Sequence, residues 1–139
     1  MTLELHATPE EVMRAVEALE QFAQAQGVPE KSIFGLALAL EESGSNIVNH
    51  ALRRDPQQKF QVALQHTQDA FVIELRDRGP KFDPTAVTER GPQADDHEIP
   101  GGWGVQLVRR SMDEIRYRRE AGENILRLTK RLGPDAAKG

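Results

Sequence analysis

Residues 60–76, FQVALQHTQDAFVIELR, decide the fold of this 139-residue chain. Apolar and polar residues alternate over Phe60–His66, which predicts a strand with one buried face. Phe71–Arg76 is a second strand and is more apolar, so we expect it to be central in its sheet. The short gap between the two strands, residues 67–70, favours an antiparallel hairpin.

A short strand and two helices are predicted on the N-terminal side of this hairpin. The strand is Thr2–Ala7, where apolar and polar residues again alternate. Thr8 is expected to cap the first helix, with Pro9 in its first turn and Gly27 as its left-handed stop. The second helix is expected to run over Glu30–Leu52, because its apolar residues recur at helical spacing.

Another hairpin is predicted at the C-terminal end. A helix over Val105–Met112 leads into strands Ile115–Arg119 and Asn124–Leu132. Strands and helices do not alternate one for one, and hairpins dominate. We therefore expect an α+β fold: a two-layer α/β sandwich with a mixed, mostly antiparallel sheet and helices on one face.

Composition limits the function classes. The length suits one domain, which we place at residues 1–132, with a frayed tail over 133–139. The absence of cysteine excludes disulfides, thiol catalysis and thiolate metal sites. A net charge of −4 argues against nucleic-acid binding. No apolar run reaches the ~20 residues that span a bilayer, and no signal peptide is recognisable, so we expect a cytoplasmic protein that does not bind membranes.

The second predicted helix carries a polar face near its end. Glu42, Asn46 and either Asn49 or His50 are three or four residues apart and share that face. A carboxylate and a carboxamide one turn apart can hold a hydrated Mg²⁺ and orient a hydroxyl group. By itself, such a pattern is more often the solvated face of an amphipathic helix.

Asp77 follows the predicted central strand and precedes Gly79. A carboxylate at the end of a buried strand can accept a hydrogen bond from the exocyclic amine of adenine. Glycine at position 79 lets the backbone approach a flat ring closely. The alternative is an ordinary Asp-Gly turn.

A glycine cluster, Gly101-Gly102-Trp103-Gly104, precedes the third predicted helix. Such turns direct backbone N–H groups and the positive end of the helix dipole toward phosphates. The cluster matches neither the P-loop nor the dinucleotide-binding motif. A flexible hinge is the alternative.

The order of these three elements resembles the nucleotide site of the ATPase superfamily that includes gyrase, certain chaperones and histidine kinases (the GHKL or Bergerat fold). Residues 40–51, LEESGSNIVNHA, are similar to the N box of the anti-sigma-factor serine kinases. Residues 77–84, DRGPKFDP, resemble their G1 box, and 101–105, GGWGV, their G2 region. Residues 122–124 resemble their final hairpin turn. The resemblance extends over residues 2–132.

This resemblance implies roles for individual residues. Glu42 would be the catalytic base that activates the acceptor hydroxyl, and Asn46 would coordinate Mg²⁺. Asp77 would bind the adenine amino group, and residues 85–100 would form the lid over ATP. The nucleotide-binding residues implied by the resemblance are Asn46, Asn49, His50, Asp77, Gly79, Phe82, Gly102, Trp103, Gly104 and Val105.

The resemblance also implies a function. The chain would be an ATP-dependent serine/threonine protein kinase that acts as an anti-sigma factor in a partner-switching system. It would phosphorylate a STAS-domain antagonist and bind a sigma factor or another regulated protein. A homodimer is one assembly that the family allows.

Three features depart from the family pattern. Lys81 stands where many relatives have glycine, and the predicted lid is short and acidic, with Asp95, Asp96 and Glu98. Gly44 lies inside the second helix, at a cost of about 1 kcal/mol relative to alanine unless it permits close packing.

Two other functions remain open. Lys81 and the short lid favour a module without catalysis, which would bind ATP as a structural ligand, or no nucleotide, and act by sequestering a protein. A detached ATPase domain of a histidine kinase is a third interpretation, for which the lid is shorter than expected.

Overall fold

A computed structural model describes residues 1–85 and 108–133 of the chain. The strands of this part are β1 (Thr2–His6), β2 (Lys59–His66), β3 (Ala70–Asp77), β4 (Glu114–Glu120) and β5 (Glu123–Arg131). They form a single sheet in the order β1-β2-β3-β5-β4, with every pairing antiparallel. The predicted sheet, mixed but mostly antiparallel, is thus antiparallel throughout the described strands, and β3 is central as expected.

Helices α1 (Pro9–Ala25) and α2 (Glu30–Asn46) pack on one face of this sheet. The predicted cap of α1 is confirmed, because Thr8 Oγ1 accepts a 3.2 Å hydrogen bond from the Glu11 amide. The predicted helix Val105–Met112 is described only from residue 108, and its backbone is helical over 108–111. In the described ranges, no helix combines the length and apolar character needed to cross a bilayer.

The second predicted helix differs from expectation at its end. After Asn46 the chain continues as a five-residue π-helix, Ile47–Ala51, hereafter the π segment. The Leu52 amide closes this wider turn by donating a 2.8 Å hydrogen bond to the carbonyl of Ile47, five residues earlier. Apolar spacing alone does not distinguish an α-helix from one such turn, and π turns are frequent at functional sites.

Close packing of α1 against α2 explains the glycine inside α2. A Cβ atom at Gly44 would lie 3.2 Å from Val12 Cγ1, so a larger residue would push the helices apart. The expectation that Gly44 permits close packing is therefore confirmed. This contact fixes the end of α2 over the sheet.

The core lies between the two helices and the inner sheet face, and the register of the strands decides which residues enter it. Directly paired residues of antiparallel strands share a face, so Val62, Leu75 and Leu126 form one buried row. The neighbouring row contains Phe60, Asp77 and Asn124, followed by Arg119 on the edge strand β4. Polar side chains therefore replace apolar ones at this end of the inner face.

Candidate functional site

Asp77 is the last residue of β3 and is only 4% exposed. Its Oδ1 atom accepts two 2.9 Å hydrogen bonds, from the Gly79 amide and from Asn124 Nδ2. Among the described residues, none donates a hydrogen bond to Asp77 Oδ2. Burial raises the pKa of the Asp77 carboxyl, and the hydrogen bonds from Asn124 and Gly79 oppose this rise.

Asn124 connects Asp77 with the loop that follows it. Its Oδ1 atom accepts hydrogen bonds from the Tyr117 hydroxyl, from Arg119 Nη1 at 3.0 Å and from the Phe82 amide at 3.2 Å. Its Nδ2 atom donates to Asp77 and, at 2.9 Å, to the Pro80 carbonyl. The oxygen faces only donors and the nitrogen only acceptors, so the carboxamide has a single favourable orientation.

Gly79 lies against the π segment. A Cβ atom at this position would lie 2.6 Å from the Ala51 carbonyl oxygen and 3.0 Å from Asp77 Oδ1. The described backbone therefore already requires glycine here, because any side chain would collide with the end of the helix. Contact between Gly79 and an adenine ring stays a prediction.

A pocket opens between the end of α2 and the inner sheet face. Its polar lining includes Asp77, Asn124 and Asn46, and its apolar walls include Leu75 and Phe82. The pocket thus unites three of the predicted site residues from two separate parts of the chain: Asn46 at the end of α2, and Asp77 and Phe82 at the end of β3 and in the loop after it. Apolar walls with a few convergent polar groups are typical of a small-molecule site. The other lining residues are Ser43, Ile47, Pro84, Tyr117 and Leu126.

The predicted base, Glu42, lies one turn before Asn46. It is partly buried, and it is not among the residues that line the pocket. Burial raises the pKa of its carboxyl, and the negative charge of Glu41 raises it further. The carboxylate is therefore more basic than an ordinary glutamate.

The π segment carries His50 and Asn49, which have different surroundings. The imidazole of His50 stacks on Phe82, with ring centroids 5.8 Å apart, and so lies behind a pocket wall. Burial lowers the pKa of His50, and the charge of Arg54 lowers it further. Asn49 Oδ1 accepts a 2.8 Å hydrogen bond from Arg54 Nε near the surface, and Asn49 does not line the pocket.

The predicted phosphate-binding residues Gly102, Trp103, Gly104 and Val105 lie outside the described residues. So does the predicted lid beyond Thr85. Their roles stay predictions.

Comparison with known proteins identifies the family. The family described as "Histidine kinase-like ATPase domain" matches residues 5–130. The chain belongs to this family. Serine/threonine-protein kinase BtrW of Bordetella bronchiseptica is 31% identical to this ATPase domain over 136 residues, which cover 97% of this chain and 96% of BtrW. Serine-protein kinase RsbW of Bacillus subtilis is 27% identical over 128 residues, covering 88% of this chain and 80% of RsbW.

Two solved structures have the same fold as this ATPase domain. One is from the SiaB–SiaC complex of Pseudomonas aeruginosa, with a TM-score of 0.69 and 13% identity, covering 93% of this chain and 88% of that chain. The other contains the RsbU and RsbW domains of a Mycobacterium tuberculosis protein, with a TM-score of 0.61 and 19% identity. It covers 94% of this chain and 32% of that one. The predicted GHKL fold and the predicted resemblance to serine kinases are confirmed.

Sequence reasoning missed three residues of this site in the ATPase domain. The sequence predicts Asn124 only as part of a hairpin turn and the start of a strand, and Tyr117 and Arg119 only as strand residues. One signal was present: Asn124 is a polar residue in phase with Leu126 and Leu128, on the apolar face of its strand. The contacts with Tyr117 and Arg119 depend on the β4–β5 register, which the sequence pattern did not specify.

Proposed function

We propose that this chain is an ATP-dependent serine/threonine protein kinase that acts as a cytoplasmic anti-sigma factor in a partner-switching system. Its substrate would be a STAS-domain antagonist, and its second partner a sigma factor or another regulated protein. One observation carries the proposal: the buried Asp77 carboxylate has an oxygen without a described donor, in a pocket shared with Asn46. Relatives named as serine kinases support it.

The pocket residues fit an adenine nucleotide. The side chains of Leu75, Phe82 and Leu126 offer apolar surface to a purine ring. Asp77 Oδ2 would accept the hydrogen bond of an exocyclic amine, which is a strong contact because the acceptor is ionised. A guanine carbonyl at the same position would face a second acceptor and be repelled.

Asn46 fits a magnesium ion. It is 6% exposed and lines the same pocket. Mg²⁺ prefers oxygen ligands, retains several waters and is usually held by one or two protein groups together with substrate phosphates. The Asn46 carboxamide oxygen would supply one such ligand.

Bound Mg·ATP would supply the phosphoryl group and much of the charge neutralisation. Glu42 would accept the proton of the acceptor serine hydroxyl while that oxygen forms its bond to the γ-phosphorus. The bond between the γ-phosphorus and the β–γ bridging oxygen would break, and ADP would leave. The raised pKa of Glu42 suits this role, because a base is most effective when its pKa approaches the working pH. Asp77 and Asn46 would hold the two ends of the nucleotide.

Thermal unfolding with Mg·ADP and Mg·ATP tests nucleotide binding first. A ligand at about 100 times its dissociation constant stabilises the folded state by about 2.7 kcal/mol. We expect the unfolding midpoint to rise for the natural protein and to stay unchanged for Asp77→Asn. Transfer of labelled γ-phosphate to a STAS-domain protein encoded in the same genome then tests the kinase reaction. The proposal would be contradicted if the protein unfolds cooperatively and neither nucleotide raises its unfolding midpoint.

A second candidate function is a non-catalytic module that sequesters a protein. It is favoured by the position of Glu42, which does not line the pocket. The variant Glu42→Ala separates the two functions. A kinase would lose phosphoryl transfer and keep nucleotide binding, whereas a sequestering module would keep its full effect on the partner.

A further inference from the structure

Arg119 differs from the other arginines of β4 in the groups that it contacts. Arg116 and Arg118 each form an ion pair within the strand, with Glu114 at 2.8 Å and Glu120 at 3.0 Å. In the described part of the chain, Arg119 has no such carboxylate partner. Its Nη1 atom instead donates to two neutral acceptors, the Gly79 carbonyl at 2.9 Å and Asn124 Oδ1 at 3.0 Å.

These two bonds join the edge of the sheet to the loop after β3. Gly79 belongs to that loop, and Asn124 donates to both Asp77 and the Pro80 carbonyl. One guanidinium nitrogen therefore holds the loop backbone and the carboxamide that contacts Asp77. Hydrogen bonds from an ionised donor are about twice as strong as neutral ones, so this bridge restrains both groups.

We propose that Arg119 is a positioning residue of the purine subsite, which fixes the direction of the Asp77 carboxylate by holding Asn124 and the Gly79 carbonyl. The inference rests on the proposed nucleotide site and adds a residue to it. Arg119 acts through Asn124 and Gly79 and needs no contact with the nucleotide.

The remaining contacts indicate that the fold survives without this side chain. Asn124 Oδ1 keeps its hydrogen bonds from Tyr117 and Phe82 when Arg119 is removed. Arg119 itself is exposed apart from its bonded tip, so truncation opens no core cavity. The loop carbonyl of Gly79 loses its described donor. We therefore expect the variant to fold, but with the loop after β3 and the Asn124 side chain held less firmly in place.

The strand offers a matched control. Arg118 is the adjacent residue and carries the same charge, but its side chain pairs with Glu120 and makes no described contact with the site. The variants Arg119→Ala and Arg118→Ala remove equal charge and equal length. A difference between them reports the bridge together with the effect of the Arg119 charge on the Asp77 carboxylate. Arg119→Lys keeps that charge and therefore helps to separate the two contributions.

The experiment is isothermal titration with two nucleotides, ADP and purine riboside 5′-diphosphate, in the presence of Mg²⁺. The second lacks the exocyclic amine, so the ratio of the two dissociation constants measures the contact with Asp77. We expect the natural protein and Arg118→Ala to prefer ADP by about tenfold or more, as for a hydrogen bond to a charged group. Arg119→Ala should reduce this preference to less than about threefold, with part of it restored in Arg119→Lys.

The ratio of the two dissociation constants distinguishes a positioning role of Arg119 from an effect on the stability of the fold. An Arg119→Ala protein that keeps the natural preference for ADP would overturn the inference, even if its unfolding midpoint were lower. Arg119→Gln is measured in parallel, in case the alanine variant does not fold. A reduced preference of Arg119→Gln for ADP would support the inference, and an unchanged preference would overturn it. Failure of the natural protein to bind either nucleotide would instead reject the proposed nucleotide site, and the inference with it.

Discussion

Asp77 and Asn124 face each other across the β3–β5 pairing, and Asn124 Nδ2 donates a 2.9 Å hydrogen bond to Asp77 Oδ1. This pair lies in the row where the inner sheet face changes from apolar to polar. Asn124 and the Gly79 amide both donate to Oδ1, and no donor in the described part of the chain reaches the other carboxylate oxygen. The strand register therefore determines which oxygen of the Asp77 carboxylate bonds to Asn124.

Replacement Asn124→Asp should weaken the fold through repulsion between two buried carboxylates. The new side chain cannot donate to Asp77 or to Pro80, and both lose a partner. Leaving buried polar groups unsatisfied costs about 1–3 kcal/mol, more for charged groups. Arg119, whose Nη1 atom lies 3.0 Å from Asn124 Oδ1, would offset part of the repulsion. Urea unfolding at pH 7 should therefore show a loss of about this size, and lowering the pH should recover part of it as one carboxyl protonates.

Asn49→Asp is the control for that experiment. Its carboxamide oxygen accepts from Arg54 near the surface, so a carboxylate there gains an opposite charge. Its free energy of unfolding should change by less than about 0.5 kcal/mol. Equal effects of the two substitutions would contradict the described position of Asn124.

The pH dependence of stability should report the buried state of Asp77. Burial raises its pKa in the folded protein above the ordinary value of 3.8. The folded state therefore binds the Asp77 proton more tightly than the unfolded state does. Protonation of Asp77 thus adds to the free energy of unfolding, and this stabilisation is fully present below about pH 3.8. It is lost as the pH rises through the folded pKa.

Asp77→Asn removes this titration. Relative to the natural protein, the variant should gain stability as the pH rises from about 4 toward neutrality, in the absence of nucleotide. Urea unfolding at several pH values measures the difference, with the exposed Asp69→Asn as control. A stability difference that is independent of pH would show that Asp77 titrates alike in the folded and unfolded chain.

The sequence predicted the layers of this fold because they depend on local patterns. Alternation over Phe60–His66 and helical spacing after Thr8 reflect which side chains face the core, and the structure has the same elements. The central place of β3 followed from its apolar character. These features need no knowledge of which distant residues meet.

Prediction of the site was less complete, since its contacts join distant parts of the chain. Asp77 and Asn46 were found because each belongs to a short motif. Asn124 contributes through a bond to a residue 47 positions away, which only the β3–β5 register brings close. The π segment was also missed, because a widened turn changes the hydrogen-bond pattern and leaves the residue pattern almost unchanged.

Gly79→Ala should destabilise the protein without any ligand present. The added methyl group would lie 2.6 Å from the Ala51 carbonyl oxygen, so the loop or the π segment must move. Overpacking of this kind costs about 1–3 kcal/mol. Urea unfolding measures the loss, and Gly133→Ala is the control because no atom lies within 4 Å of the added group. Unchanged stability of Gly79→Ala would show that the helix end is not held against this loop.

The fall of kcat/KM at acidic pH (the acidic limb of the pH profile) should reflect protonation of Glu42. If Glu42 is the base, Glu42→Gln should lower phosphoryl transfer by about 10²–10⁴-fold with little change in nucleotide affinity. Glu41→Gln is the matched neighbour: it keeps the base but removes the charge that helps to raise the pKa of Glu42. Its kcat/KM should therefore remain near the natural value at neutral pH, while its decline in acid moves to lower pH. The measurement is kcat/KM between pH 5 and 8 for the natural protein and both variants. An acidic limb that is identical in the Glu41→Gln variant would assign the base to another residue.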